Sequence, residues 1–565
     1  MTAYLQRQNE AAPRACKIGR AGPSVIKVAA LLASMAWVAS AVAAPCIDTS
    51  LPISVEEQRL PNKLTATNAN PFAVDLLYGA GFTHFESDFI TALGGTSSVD
   101  TTVTPNVVVT DTTSSCGASA PANYDAAFAL ITAQGTNLWK TAVNRVQGRL
   151  SVALSGDLTQ VPRSDDRPLY WARETMTRAL NRWSPPWGLT SDQRSALELQ
   201  LERTSRGQLD INFPAGPGYK RLLMSSFDVF TLPAPGTNGT GMRNGNPSAA
   251  TALSLDGSRL RLPDGTTGVI EVFTLPVNYP PFGLASASAT NPTNFPMQEE
   301  TIGPYYMPGP QRVDASISMS QGSGDQFNLE MWNGRFHGPS AGNDSITLCP
   351  TANNQRLPQV DDCDDYPPAK WLGYSPIPWR RDFPPQFTTT SLPIAAMIAA
   401  ATGAGVPHPP GDSFPPANLD PNYPDPTGAF GVQWHTNYTV FRNCDALTGT
   451  TNTATVNVNT PTFTFPPPTP PTAPLATDCA RQGGGGDYLS NESAYRNTLM
   501  RDIFGLSIPA GHIHTPVMTR FSTGDNALIT DAMFEQYRAS IVQQARNLVF
   551  TVLRNLGPQP PLVTQ

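Results

Sequence analysis

A hydroxyl, two imidazoles and a carboxylate in this chain have the spacing of a nucleophilic hydrolase. From Gly483 to Pro516, four glycines run into Asp487-Tyr488-Leu489-Ser490-Asn491, a segment of helical spacing follows, and His512 and His514 come after the next apolar run. Ser490 stands where that helix should begin. A helix start presents unpaired amides and partial positive charge, which favour an anion at or near such a side chain. A neutral imidazole at His514 would take the serine proton and return it to a leaving amine. Glu330, in Phe327-Asn-Leu-Glu330 after Gly322-Ser-Gly324, would hold that imidazole in the required tautomer. His514, beside Thr515-Pro516, is the expected base rather than His512. Taken singly, each residue has an ordinary reading: Ser490 a helix cap, His514 a packed histidine, Glu330 a surface charge. The glycine run is the return from an insertion, not a phosphate loop, because no Lys-Ser/Thr follows it. No CxxC or HxxxH spacing occurs, so neither metal nor cofactor is expected.

The rest of the chain must position these groups. Its 565 residues suffice for two or three sizeable cores, and its net charge of −7 is spread out, which argues against nucleic-acid binding. Charged residues make up only 14%, and the 56 prolines are roughly twice the usual share, pointing to long irregular surface segments. Arg14, Lys17, Arg20 and Lys27 precede an apolar run, Val28 to Val42, and Ala41-Val42-Ala43 offers a small-residue cleavage site. Residues 1–43 therefore read as an export signal, too short in its apolar part for a spanning helix of ~20 residues. Export to a periplasmic or extracellular space is expected, with no stable membrane insertion once the signal is cleaved. Cys16 would leave with that signal. Cys46, Cys116, Cys349, Cys363, Cys444 and Cys479 remain, an even set that suggests disulfides, with neighbours paired as the expected connectivity among those possible.

Residues 44–215 read as a mostly helical accessory region. Tyr124 to Val146 and Arg167 to Trp183 have helical spacing, and Ser191-Asp192 is placed to cap a helix through Arg203. Trp171, Trp183 and Trp187 read as core. From Tyr219 strands alternate with helices: strands at Arg221–Ser225, Gly268–Phe273 and Val313–Met319, a helix opened by Asn246-Pro247, and helices at Leu392–Ala401 and Ser490–Phe504. A last helix after Thr530 carries Phe534, Tyr537, Ile541, Ala545, Leu548 and Val552 on one face. This texture predicts an α/β core over 216–557. Two Pro-rich insertions, 338–386 and 408–482, interrupt it and read as surface segments. The acidic run Asp361-Asp362-Cys363-Asp364-Asp365 lacks an EF-hand pattern and reads as a solvated face.

Taken together, the residues resemble the pyroglutamyl peptidase I (pyrrolidone-carboxylate peptidase) family. Ser226-Phe227-Asp228-Val229-Phe230, then Asn246-Pro247-Ser248 and Leu255-Asp256-Gly257, resemble its first strand, its GF[DE]PF turn and its NPS helix. Leu275-Pro276-Val277-Asn278-Tyr279 resembles its LPV segment, and Glu330 falls at its catalytic Glu. Thr389-Thr390-Ser391-Leu392-Pro393-Ile394 through Ala404-Gly405-Val406-Pro407 resembles the helix before the nucleophile. Asp487 to Asn491 and Gly511 to Pro516 resemble its nucleophile and histidine segments. The likeness covers residues 219–336, 386–407 and 483–556. It implies a three-layer α/β/α core, removal of N-terminal pyroglutamate from a peptide by a Glu–nucleophile–His set at Glu330, Ser490 and His514, and a lactam pocket lined by Phe227 and Phe230. Phe227 and Phe230 can equally be core.

Three departures bear on activity. The nucleophile position holds Ser490 where the family has Cys, and a serine must lose its proton during attack, which demands base geometry and oxyanion donors. The place of the family's Arg, about ten residues after the Glu, falls on Ser340, so that positive charge is missing or moved, with Arg335 the nearest candidate. The insertions bracket the site. Two alternatives to the hydrolase follow: a peptidase-like protein that has lost activity and binds peptides or protein partners, and a secreted surface protein whose Pro/Thr-rich segments make the contacts.

Overall fold

Why the central strands take their places is legible in which residues they bury. In the computed structural model, Leu222 and Met224 of one strand enter one apolar core while Leu223 between them enters a second. Ile270 and Val272 on the neighbouring strand enter the first core, and Val269 and Phe273 the second. Alternate side chains point to opposite faces of a strand, so a strand buried on both faces reads as an unbroken apolar run. The structure describes residues 44–60, 71–100, 102, 107–150, 161–230, 232, 243–282, 296–324, 326–336, 340–345, 385–400, 430–441, 455–518, 529–530 and 532–557. The expected signal, the acidic run and the side chains of the Cys349–Cys363 and Cys444–Cys479 pairs lie outside them.

The N-terminal region is helical, with one hairpin. Helices α1 (Pro71–Gly79) and α2 (Thr83–Ala92) precede β1 (Ser97–Asp100) and β2 (Val107–Thr110), an antiparallel pair, and then α3 (Tyr124–Val146), α4 (Arg167–Asn181) and α5 (Ser191–Ser205). Cys46 and Cys116 form a disulfide. Trp171 and Trp183 are fully buried, and Trp187 meets Trp183 edge-on at 5.8 Å, so these tryptophans pack a core. The α5 cap is one residue earlier than the sequence reading: Thr190 and Gln193 form a reciprocal capping box, which satisfies two backbone amides where Ser191 would satisfy fewer.

The core follows as β3 (Tyr219–Phe227), α6 (Pro247–Leu255), β4 (Arg259–Arg261), β5 (Thr267–Leu275), α7 (Met297–Tyr306), β6 (Ala315–Gln321), β7 (Phe327–Glu330), β8 (Trp332–Gly334), β9 (Phe387–Thr389), α8 (Ile394–Ala399), β10 (Val432–His435), β11 (Tyr438–Phe441), β12 (Thr455–Val458), β13 (Cys479–Gln482), α9 (Leu489–Ile503), β14 (Ala510–Thr515) and α10 (Ala532–Arg554). Seven strands form the main sheet in the order β10-β7-β14-β6-β3-β5-β4. β14, β6, β3 and β5 run parallel to one another; β7 is antiparallel to β14, and β4 to β5. α6 and α10 pack on one face, and α7 and α9 on the other, giving a three-layer α/β/α core. Asn246 opens α6 as its sequence predicts: its side chain accepts from the Ser248 amide at 3.0 Å, with Pro247 at the first helical position. The described residues from 44 onward belong to one compact unit.

One segment behaves differently from its sequence reading. Residues 432–435, inside the stretch read as a surface insertion, pair in parallel with β7 and extend the main sheet. Trp434 is buried there, and β11, β12 and β13 make a separate three-stranded sheet. Two short runs, Val432-Gln-Trp-His435 and Tyr438-Thr-Val-Phe441, supply enough apolar surface to join the fold despite the proline around them.

Candidate active site

Strand register decides which side chains meet. On β7, Glu330 pairs with His435 of β10 on one side and with His512 of β14 on the other, two residues before His514. Paired residues share a face of the sheet, and so do residues two apart on one strand. Glu330 is therefore flanked by imidazoles. Its Oε1 lies 2.6 Å from His514 Nδ1 and its Oε2 lies 2.5 Å from His435 Nδ1. The carboxyl group is completely buried. Burial pushes its pKa up, but the His435 and His514 rings outweigh that and hold it well below the usual carboxylate range. For His435, burial opposes the charged ring, yet the Glu330 carboxylate and a hydrogen bond to the Gly484 backbone raise its pKa above the ordinary value.

His512 is a different kind of residue. It is fully buried, and its Nδ1 and Nε2 meet Ser318 Oγ at 2.7 Å and Ser320 Oγ at 2.9 Å. Burial, reinforced by the neighbouring His514, holds its pKa well below the ordinary value, so it is a neutral ring bracketed by hydroxyls. Both its nitrogens are occupied. His514 Nε2, by contrast, makes no hydrogen bond among the described residues, while its Nδ1 is fixed by Glu330. A histidine held by Nδ1 with Nε2 open has the form of a general base.

The glycine run closes over this set. A Cβ on Gly484 would lie 1.9 Å from Glu330 Oε2 and 3.1 Å from His435 Nδ1, and one on Gly483 would lie 2.3 Å from Asn491 Oδ1. Side chains at either position would collide with the site. Gly485 comes between the base and the expected nucleophile segment: a Cβ there would be 3.4 Å from His514 Cε1 and 3.2 Å from the Asn491 amide nitrogen. Gly483, Gly484 and Gly485 thus line the site, and at Gly483 and Gly484 the lack of a side chain is a packing requirement.

Ser490 is the second residue of α9, and the cap position belongs to Tyr488, which makes no side-chain cap bond. Ser490 is half-buried and faces a cleft. Among the described residues no hydrogen bond joins it to His514. The Asn491 and Glu492 amides bond to the Tyr488 carbonyl at 3.0 and 3.2 Å, while the Leu489 and Ser490 amides have no backbone acceptor among the described residues. A helix start with unpaired amides and partial positive charge favours an anion nearby. Asn491 points elsewhere: it donates to the Gly334 and Phe336 carbonyls at 2.6 and 2.8 Å and accepts from the Gly334 amide at 2.9 Å. It fastens α9 to the segment after β8.

The cleft is lined by Phe227, Phe230, Asn246, Val277, Ser320, Gln321, Tyr488, Leu489 and Ser490. These residues come from the C-terminal ends of the parallel strands β3, β5 and β6 and from the starts of α6 and α9, the usual ligand position of an open α/β sheet. Phe230 packs against Tyr488 at 5.8 Å between ring centroids, and Tyr279 meets Tyr488 edge-on at 6.0 Å. Phe227 is buried at the end of β3, so it is both core and cleft wall; Phe230 is the more open of the two. The turn between them is anchored from below, because Asp228 Oδ2 accepts from Arg173 at 2.8 Å and also from Arg206.

Glu330 and His514 are in contact, Phe227, Phe230 and Ser490 line one cleft, and Ser320, the register partner of His514, links the two groups. His435 was not foreseen from the sequence. Its signal was faint: a four-residue strand ending in His within a Pro/Thr-rich stretch. The described residues contain no cluster of His, Cys, Asp or Glu suited to a metal ion.

Comparison with known proteins adds the following. A family model described as the PA0049 C-terminal domain matches residues 221–519, and one described as the PA0049 N-terminal domain matches residues 38–202. The uncharacterized protein PA0049 of Pseudomonas aeruginosa is 43% identical over 540 residues, covering 88% of this chain and 89% of its own length. Among solved structures, a mutant pyrrolidone carboxyl peptidase from the hyperthermophile Pyrococcus furiosus overlaps with a TM-score of 0.28 at 13% identity, covering 60% of this chain and 99% of that one. The same enzyme, in structures that include its Cys-free mutant, overlaps at 0.29 and 12% identity, with the same coverage, a similarity too low to bear on activity. With both domain models matched and a relative at this identity over most of its length, the chain belongs to the PA0049 family.

Proposed function

We propose that the chain is an exported acyl-transfer hydrolase that removes a pyroglutamyl or related small terminal group from peptides. The observation that carries this reading is the His514–Glu330 contact at 2.6 Å through Nδ1, which leaves Nε2 open beside the segment bearing Ser490. In the reaction, Ser490 Oγ attacks the substrate carbonyl carbon as His514 Nε2 takes its proton. Glu330 keeps Nδ1 protonated and stabilises the imidazolium. The amides of Leu489 and Ser490 receive the oxyanion. The leaving amine then takes the proton from His514; a water molecule, deprotonated by the same ring, attacks the acyl carbonyl carbon, and the ring returns that proton to Ser490 Oγ as the Oγ–acyl bond breaks and the acid leaves. The terminal group would sit against Phe227, Phe230, Val277 and Tyr488, the apolar side chains of the cleft. In an oxidising compartment a serine nucleophile is not lost to disulfide formation or over-oxidation, as a cysteine would be.

A second reading, an inactive protein that binds a peptide in the same cleft, is favoured by the lack of a Ser490–His514 hydrogen bond. The reading as a surface protein contacting partners through 408–482 is weakened, because part of that stretch is a strand of the main sheet. A fluorogenic pyroglutamyl amide, assayed on wild type, Ser490→Ala, Ser490→Cys and His514→Ala, separates them. Turnover in wild type that is lost in Ser490→Ala and His514→Ala supports the hydrolase. Turnover that survives Ser490→Ala rules out this mechanism, and turnover confined to Ser490→Cys supports the binding protein.

A further inference from the structure

We propose that His435 is a positioning residue that compensates the charge of Glu330: as an imidazolium on the second carboxylate oxygen, it leaves His514 neutral and able to act as a base. This rests on the acyl-transfer reading of the site, although the charge arrangement can be tested without turnover. A nearby carboxylate favours the charged form of a histidine, so a buried carboxylate with a single histidine partner biases that ring toward a second proton. A ring that already carries two protons cannot accept one from a nucleophile. Glu330 avoids this by having two partners, one on each oxygen.

The geometry favours His435 as the partner that carries the charge. It is paired in register with Glu330, its Nδ1 is 2.5 Å from Oε2, and its side chain keeps 15% of its surface exposed, so its proton can exchange with water. The Gly484 backbone, able to come this close only without a Cβ, gives it a further hydrogen bond. The charged groups of the neighbouring elements have partners of their own. Arg481 is paired with Asp487 at the flanks of the glycine run, and Arg496 of α9 with Glu492 and Glu299. On β14, His512 is enclosed by Ser318 and Ser320 and held neutral. Arg335, beyond β8, is buried, which lowers its pKa, against the opposing influence of Tyr495. Sequence resemblance offers no equivalent of His435, which lies in the stretch outside it.

The test is the ring protonation of the histidines by NMR, using protein with isotope-labelled histidine, in wild type, His435→Gln and Glu330→Gln. Glutamine at 435 keeps a donor to Oε2 but no charge. At pH 7 the wild-type protein is expected to hold two protons on His435 and one, at Nδ1, on His514, whereas His435→Gln is expected to place the second proton on His514. If turnover is present, kcat/KM of His435→Gln falls about tenfold more at pH 6 than at pH 9, since a nearby charge shifts such equilibria by about one pH unit or more. In Glu330→Gln, His435 loses its second proton at pH 7. A neutral His435 in wild type, or a His514 with a single proton in His435→Gln, overturns the proposal. If His435→Gln does not fold, an unchanged His435 ring in Glu330→Gln overturns it instead. Absence of turnover in wild type counts against the hydrolase reading alone.

Discussion

Arg173 of α4 donates to Asp228 Oδ2 at 2.8 Å, and Arg206, just past α5, reaches the same oxygen. All three side chains are almost wholly inaccessible. The turn that carries Phe227 and Phe230 is therefore held by the N-terminal helices, and the accessory region takes part in shaping the cleft. Asp228→Ala would leave two buried guanidinium groups short of a partner. Its expected cost is ~3–5 kcal/mol, the range for removing one side of a buried ion pair. Urea denaturation measures it, and a loss below about 1 kcal/mol would show the anchor to be dispensable.

Asn491 makes three hydrogen bonds with the segment from Gly334 to Phe336, each at 2.9 Å or less. Asn491→Ala strands an amide and two carbonyls in a buried place. At ~1 kcal/mol per bond, the expected destabilisation is about 3 kcal/mol. Asn491→Asp should be worse, because a carboxylate would face two carbonyl oxygens. An aspartate variant as stable as wild type would contradict an Asn491 side chain that donates through Nδ2 to the Gly334 and Phe336 carbonyls.

The sheet and its helices were legible because each carries its own signal: the apolar residues Leu222 to Met224 of β3 and Val269-Ile270 and Val272-Phe273 of β5, the Asn-Pro start of α6, and the one-sided apolar stripe of α10. The contact of Glu330 with His514 could be anticipated from the order of motifs. What could not be read was tertiary in origin. His435 reaches Glu330 only through the β7–β10 register, and a four-residue strand has too few residues for alternation to stand out from a Pro/Thr-rich surround. The glycine run gave no local hint of its role either, since the atoms that exclude a side chain there belong to residues far away in the chain. Likewise the anchor of Asp228 depends on arginines from two other parts of the chain, which no local pattern reports.

Gly484→Ala should damage the site more than Gly485→Ala. The first places a methyl 1.9 Å from Glu330 Oε2, against a carboxylate pinned by two histidines, whereas the second meets nothing closer than 3.2 Å. Overpacking of this kind costs ~1–3 kcal/mol, and the carboxylate must give up His435 or His514 to make room. Thermal and urea unfolding of both variants, with labelling of Ser490 by a fluorophosphonate, gives the comparison. Equal stability and equal labelling of the two would mean that the run tolerates side chains and is not a fitted lining.

Stability should also fall as pH rises through neutrality, because of carboxylates buried in the N-terminal region. Burial pushes Glu57 up to about 7, against hydrogen bonds from Ser54 and Asn181 that lower it, and pushes Glu198 up to about 8, with the charge of Glu57 adding to the effect. Their unfolded values are near ~4.3. Each folded pKa is raised, so the folded state binds more protons than the unfolded one between those limits. The stabilisation is complete below ~4.3 and is lost as pH climbs through ~7 to 8, at up to ~1.4 kcal/mol per pH unit for each group. Glu57→Gln and Glu198→Gln hold neutral side chains in the same places, so each should flatten the decline between about pH 5 and 8 in urea unfolding. A slope in the double variant as steep as in wild type would place the source of the decline elsewhere, among the other buried acids such as Asp256, which burial also pushes up to about 7.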